Sequence, residues 1–371
     1  MRHELSPVVQ VIKEKCVNCH VCISVCPVKF CNNALNDHVE INPDMCIGCG
    51  TCIKNCTHGA RRGIDDFEAF LNDINSLSFV AVVAPAAASN FHDIHALNGF
   101  LKSFGVVAFF DVSFGAELTI KSYLSHIQTN APKTVISQPC PAIVTFIEIY
   151  HPELIPYLAP ADSPMLHTIK MIRTYYPQYA QHKIIMVSPC YAKKREFDET
   201  GLSDSVYNVT IRSLADYAAD KGIDIDSYPR VDFDNPPAER AVTFSTPGGL
   251  IETARRDLPD ADYVSRKIEG VEHIYHYLET LKDSISSGVA PLLVDCLNCA
   301  HGCNGGPGTL NHDVPLDHIE SHINKRKNAM KKRYASSKDS KSSRKVHKVL
   351  NKYWNAKLYA RNYVDMNDNF V

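Results

Sequence analysis

Two cysteine runs near the start of this 371-residue chain restrict its possible folds more than any other feature. Cys16, Cys19, Cys22 and Cys26 stand at C-x2-C-x2-C-x3-C spacing, followed by Pro27. Cys46, Cys49, Cys52 and Cys56 repeat the spacing, followed by Thr57. Nine of the 14 cysteines fall between Cys16 and Cys56, so they need a common cause. A disulfide framework suits a small secreted domain. A chain of this length with 45% hydrophobic residues can bury two or three cores without such staples. Thiols at short fixed spacings are better read as metal ligands. Three thiolates two residues apart can curl round one face of a metal cluster while the fourth points away. Zinc also accepts C-x2-C pairs, but its sites rarely need two complete four-cysteine runs.

The runs resemble those of bacterial-type ferredoxins with two [4Fe–4S] clusters, where the fourth cysteine of each run ligates the other cluster. That resemblance implies one cluster on Cys16, Cys19, Cys22 and Cys56, and a second on Cys46, Cys49, Cys52 and Cys26. Both would lie in an α+β ferredoxin-like domain over residues 1–65. Cys31 is left over as a buried thiol. His20 and His58, beside the runs, read as surface or packing residues. Two clusters in series make a wire, so the remaining chain should hold something that consumes or supplies electrons.

Over residues 76–322 apolar runs alternate with helix-length segments. Phe79–Ala84, Val106–Asp111, Thr134–Ser137, Lys183–Ser188, Ala241–Ser245 and Val289–Asp295 read as short strands buried on both faces. That pattern predicts an α/β domain with mainly parallel sheets. The five other cysteines, Cys140, Cys190, Cys296, Cys299 and Cys303, all follow such runs. In open α/β sheets the ligand site forms at the carboxyl ends of strands. A lone cysteine there could be a small buried hydrophobe, but Cys299-x3-Cys303 in the Gly-rich loop 301–308 needs another reason.

These residues resemble the iron-only (FeFe) hydrogenases, whose active domain has three cysteine loops. Ser137-Gln138-Pro139-Cys140-Pro141 matches the family's T-S-C-C-P in part, and Pro189-Cys190 with Lys193 and Glu196 matches P-C-x-x-K-x-x-E in full. Cys299, Cys303 and Gly305-Gly306 match the third loop. Phe114-Gly115-Ala116-Glu117 and Pro247-Gly248-Gly249 with Glu252 also fit. The resemblance implies an H-cluster: a [4Fe–4S] cube on Cys140, Cys190, Cys299 and Cys303, with Cys303 bridging to a diiron unit bearing CO, cyanide and a dithiolate. Lys193 would donate a charge-assisted hydrogen bond to a cyanide. Cys296 lies outside that ligand set.

The sequence departs from the family along the proton route. Pro139 replaces the relay cysteine of the first loop and offers no exchangeable proton. By register, the two relay glutamates become Tyr123 and His126, and the relay serine becomes Ala159. Metal ligands kept while relays are lost resemble the sensory branch of the family. Histidine is the side chain suited to carry protons near neutral pH, so His126 could be a substitute relay or an ordinary helix residue.

Residues 323–371 begin as a strongly basic, polar tail. It reads as a solvated helix, a Ser/Lys linker over Ala335–Ser343, and a short segment with Tyr353, Trp354 and Tyr359. The tail could also dock an acidic partner. The whole chain carries 39 basic against 41 acidic residues, which argues against a nucleic-acid or membrane-surface binder. No apolar run approaches a membrane span and the first residues lack a signal region, so a cytoplasmic protein is expected. The expected activity is ferredoxin-linked H2 oxidation or proton reduction, slow and sensory, with H2, protons and a redox partner such as ferredoxin. Output would pass to a separate signalling protein or to an extension of the chain. Two rivals stand beside it: an efficient hydrogenase with a proton path rerouted through His126 or water, and an iron–sulfur carrier holding cubes without a diiron unit.

Overall fold

The computed structural model describes residues 3–334 and 339–370. The first region opens with β1 (Val9–Val11) and closes with β4 (Arg61–Gly63), paired antiparallel with Val11 opposite Arg61. Between them lie α1 (Val21–Ser24), β2 (Asn32–Asn33), β3 (Glu40–Ile41) and α2 (Thr51–Asn55), with β2 and β3 also antiparallel. The two halves repeat one backbone trick. Asn18 and His20 take positive φ where Gly48 and Gly50 do in the second run. His20, exposed as expected, thus sits in a left-handed conformation that L residues seldom adopt.

After α3 (Phe67–Asp73) the chain builds a four-stranded parallel sheet. Its order is β6 (Phe109–Asp111), β5 (Phe79–Val83), β8 (Lys183–Ser188) and β9 (Val206–Thr210). A second parallel sheet runs β10 (Ser265–Glu269), β11 (Leu293–Leu297), β7 (Val135–Ile136). The connecting helices are α4 (Ile94–Ser103), α5 (Val112–Asn130), α6 (Pro141–Tyr150), α7 (Pro164–Tyr175), α8 (Lys193–Glu199), α9 (Ile211–Asp220), α10 (Gly249–Ala254), α11 (Ala261–Val264) and α12 (Val271–Ser286). β12 (Ala300–Cys303), α13 (Leu316–Tyr334) and α14 (Asp339–Tyr353) follow.

The period-2 geometry of a strand explains the doubly apolar runs. Val80, Val82, Ile184 and Met186 face α5 and α7, while Phe79, Val83, Ile185 and Val187 face α3, α4 and α9. Each such side chain contributes about 1.5–3 kcal/mol on burial. In the smaller sheet Ile136 and Val294 pack with α6 and α12, and also with Val28, Cys31 and Ile47 of the ferredoxin-like region. The two regions therefore share a core.

Ala241–Ser245 is not a strand; Ala241–Thr243 is a buried 3-10 turn. Its cause is Glu117, whose Oε1 accepts the backbone N–H groups of Glu239, Arg240 and Ala241 at 2.8–3.1 Å. Three successive amides drawn to one buried carboxylate curl the chain, whatever its β-branched content. Cys296 likewise lies within β11 rather than after it.

The C-terminal segment does not stay in solvent. Val346, Leu350, Tyr353 and Tyr359 join the core beside Phe114 and Leu166, and Tyr359 stacks on buried His167 at 4.2 Å. The basic helix is anchored too, by Arg326 to Asp111 and by Lys327 to Glu252. The boundary expected at 322/323 falls inside α13. Of the expected linker, 335–338 lie outside the described residues and 339–343 belong to α14.

Candidate iron–sulfur and H-cluster site

Cys140, Cys190, Cys299 and Cys303 line a single cavity of about 70 Å³. Cys140 precedes α6, whose first residue is Pro141, a residue with no N–H to lose there. Cys190 follows β8, Cys299 bridges β11 and β12, and Cys303 ends β12. Three strand ends thus deliver four thiols to one place. The loops touch backbone to backbone: a Cβ on Gly306 would stand 2.4 Å from Pro189 O. Burial pushes the Cys190 and Cys303 thiols up to about 12. Metal binding would draw those protons off, because the ligand is the thiolate.

Beyond the thiols the walls are Ala84, Pro85, Ala86, Val112, Met165 and Phe244. Polar groups are few. Lys193, the first residue of α8, is buried, and its Nζ donates to Pro139 O at 2.9 Å and to Glu196 Oε2. One of its three protons is left for the cavity. Arg361 caps the other carboxylate oxygen of Glu196 at 3.2 Å. Ser245, which the sequence reading passed over as the end of a strand, also lines the cavity and its buried Oγ has no hydrogen-bond partner. A buried hydroxyl without a partner is unusual in a protein. The thiol set, the ammonium and this hydroxyl fit a multi-atom anionic centre. Among the described residues no three His, Cys, Asp or Glu side chains close on a point that would hold a single metal ion.

Of the residues at the family's proton stations, Tyr123 and Ala159 pack in one buried cluster and Tyr123 reaches the residue before Pro139, whereas His126 stands apart. Pro139 is in the cavity wall. Tyr123 is buried and its hydroxyl accepts the Gln138 N–H at 3.2 Å, with burial holding the phenol far above its ordinary range. Ala159 is buried and its carbonyl accepts from Tyr363. His126 lines a different cavity, with Ser122 and Trp354, and takes a hydrogen bond from Asn130 at 2.9 Å; burial lowers its pKa. Cys296 is fully buried, donating its thiol to Ser137 O at 3.3 Å.

In the ferredoxin-like region Cys16, Cys19, Cys22 and Cys56 line one cavity with His20, His58 and Arg61. Cys26, Cys46 and Cys49 pack together against another core. The Cys52 thiol is raised by burial first, then by Cys49 and Cys46, with Cys26 adding to them. Cys31 is buried 3.9 Å from Cys26 Sγ. Cys49 also lines the large-domain cavity. Asn298 spans the gap: its Nδ2 donates to Cys49 O at 3.3 Å and Cys299 Sγ at 3.4 Å, while Tyr275 holds its Oδ1 at 2.5 Å. Neither Asn298 nor Tyr275 carries a motif, and the sequence reading missed both.

Two thiol-lined regions in series, the inner one at the carboxyl ends of parallel strands, define an iron–sulfur protein with a ferredoxin-like region joined to an α/β cluster domain. The chain belongs to the iron-only hydrogenase family: the iron only hydrogenase large subunit, C-terminal domain, matches residues 78–307. Two 4Fe-4S binding domains match residues 9–30 and 38–60. The chain is 30% identical to Iron hydrogenase 1 of Clostridium pasteurianum over 177 residues, 43% of this chain and 31% of that protein. It is 32% identical to the nuclear prelamin A recognition factor of Rattus norvegicus over 124 residues, 30% of this chain and 27% of that one. A cytosolic Fe-S cluster assembly factor of Yarrowia lipolytica is 24% identical over 136 residues, 32% of this chain and 27% of that one. The chain thus aligns with about a third or less of the length of these relatives. A solved [FeFe]-hydrogenase structure superposes with a TM-score of 0.62 at 17% identity, covering 82% of this chain and 100% of that one, which establishes a shared fold. No helix among the described residues is long and apolar enough to cross a membrane.

Proposed function

We propose that this protein is a hydrogen-responsive iron–sulfur redox protein of the FeFe-hydrogenase type. In this reading it exchanges electrons with H2 and protons at an H-cluster held by Cys140, Cys190, Cys299 and Cys303. Two ferredoxin clusters, on Cys16, Cys19, Cys22 and Cys56 and on Cys46, Cys49, Cys52 and Cys26, relay those electrons to a ferredoxin-like redox partner. The observation that carries the reading is the convergence of four thiols from three loops on one cavity that also holds the Lys193 ammonium.

When bound, the H-cluster would supply heterolytic H2 chemistry and electron storage. The chain's own residues do the rest. Lys193 aims a cation at the cavity, which favours an anionic ligand there. Ala84, Val112, Met165 and Phe244 exclude water and so strengthen that interaction. Asn298 fixes the inner thiol loop against the Cys49 backbone, a direct link between the two regions. Pro139 offers no proton, so proton delivery at the first station is absent and turnover is slow. Slow chemistry at a retained metal site suits a sensor reporting to a separate signalling protein, and the expected setting is the cytoplasm.

A second reading, an iron–sulfur carrier without the diiron unit, is favoured by one feature. Two of the three Lys193 protons are already taken within the protein, by Pro139 O and Glu196. Infrared spectra of the matured protein with and without H2 separate the readings. Bands in the CO and cyanide region that respond to H2 support the first, and a blank spectrum with intact cubes supports the carrier. Turnover matching ordinary catalytic members would remove the sensory role.

A further inference from the structure

We infer that Arg61 sets the reduction potential of the outer cluster, the one assigned to Cys16, Cys19, Cys22 and Cys56, by placing a buried cation against the Cys22 sulfur. The inference rests on the iron–sulfur reading of this region and on nothing concerning the diiron unit.

Strand alternation puts Arg61 inward and Arg62 outward on β4. Arg61 is 4% exposed and its Nη2 donates to Cys22 Sγ at 3.1 Å. Its Nη1 is buried without a hydrogen-bond partner, and the side chain lines the cavity of the four thiols. Among the described residues no carboxylate forms an ion pair with it. A guanidinium cannot shed its proton, and an uncompensated buried charge costs several kcal/mol. A neutral thiol is a weak acceptor and cannot offset that cost. An anionic cluster with four thiolates can. Arg61 therefore presents two N–H groups and a full charge to a site whose negative charge grows by one unit when an external one-electron donor reduces it. In a buried setting that charge favours the reduced state.

The location gives the effect a role. Cys19 is exposed, whereas Cys49 of the other set lines the inner cavity. Arg61 acts on the cluster nearer solvent, where an electron enters or leaves.

Redox titration of the full chain, followed by the electron spin resonance of its reduced clusters, tests this without any diiron unit. Arg61→Gln keeps a donor and removes the charge. The outer cluster should become harder to reduce by at least tenfold in its oxidised-to-reduced ratio at fixed potential, about 59 mV for one electron, with a smaller shift of the second cluster. Arg61→Lys keeps the charge without the planar fork, and its potential should fall between wild type and Arg61→Gln. Unchanged potentials in Arg61→Gln with both clusters present would overturn the inference. If Arg61→Gln loses the cluster, Arg61→Lys decides: a lowered potential supports the inference, and a potential at or above wild type overturns it. A wild-type chain without two cubane signals would instead sink the iron–sulfur reading itself.

Discussion

Arg361 Nη1 donates to Glu196 Oε1 at 3.2 Å, joining residues 165 positions apart in the chain. Its Nη2 donates to Glu199 at 2.6 Å, so the C-terminal segment clamps α8 by two carboxylates. Behind Glu196 stands Lys193, at the wall of the inner cavity. Arg361→Gln should destabilise the protein by about 1.5–3 kcal/mol, the range for a hydrogen bond to a charged group, because Lys193 still partners Glu196. Chemical denaturation of both proteins at matched cluster content checks it. An unchanged midpoint would mean the tail lies on α8 without holding it.

The inner ligand set can be separated from its neighbour. Cys303→Ala should abolish CO and cyanide infrared bands by removing the proposed bridge. Cys296→Ala should keep them, since the Cys296 thiol is spent on Ser137 O inside β11, and should lower stability by about 1 kcal/mol. Bands lost from the Cys296 variant would place that thiol in the ligand set.

Pro139 contributes its carbonyl, not its side chain, to Lys193. Pro139→Cys therefore keeps the lysine in place while adding an exchangeable proton at the cavity wall. Hydrogen evolution should rise, but by less than the roughly 10²–10⁴-fold of a positioned general acid. Tyr123 and Ala159 do not continue the route, and His126 lines another cavity. A gain spanning that whole range would show that a second path already exists; His126→Ala alone would then be expected to slow any turnover.

Stability should also carry a pH signature. Burial, with Glu199 nearby, pushes the Glu148 carboxyl from its ordinary 4.5 up to about 8. The folded state thus keeps a proton that the unfolded state releases. The sign follows: Glu148 lowers stability as pH rises from about 4.5 to about 8, with a slope near 1.4 kcal/mol per pH unit. Glu148→Gln retains the oxygen that accepts Val364 N–H at 3.0 Å and has no proton to lose. It should match wild type near pH 5 and exceed it at pH 8. A wild-type advantage at pH 8 in denaturation midpoints would show that the carboxylate ionises there without penalty.

Much of this molecule is legible in its residues because metal ligands and doubly buried strands leave local marks. The cysteine spacings foretell thiols lining common cavities, and Phe79–Val83 and Lys183–Ser188 announce themselves as central strands. Of the four edge strands in the parallel sheets, β6 and β7 fall inside such apolar runs, whereas β9 and β10 do not. β9 carries Asn208 and Thr210, whose amides are satisfied by the carboxylates of Asp66 and Asp65, and β10 exposes Arg266 and Lys267. In β9 a polar Asn208 interrupts the apolar run, and β10 lacks that texture altogether. The turn at Ala241–Thr243 is set by Glu117, more than a hundred residues away, and local pattern cannot foresee that. The same holds for Asn298 and Arg61, common residue types made special by what lies opposite them.

Arg195 stands between Lys193 and Glu196 on α8 but points the other way, donating to the carbonyls of Ser6, Pro43 and Cys46. It is 1% exposed. A shortened chain beginning after residue 65 would strip this guanidinium of all three acceptors and of the residues that cover it, in the same helix that presents Lys193 to the inner cavity. The ferredoxin-like region is for that reason not a detachable plug. Exchanging it for the equivalent region of another protein would require three backbone carbonyls at matching positions. Domain shuffling, so easy for modules joined by a loose tether, is constrained in this chain by that arginine and by the core the two regions share.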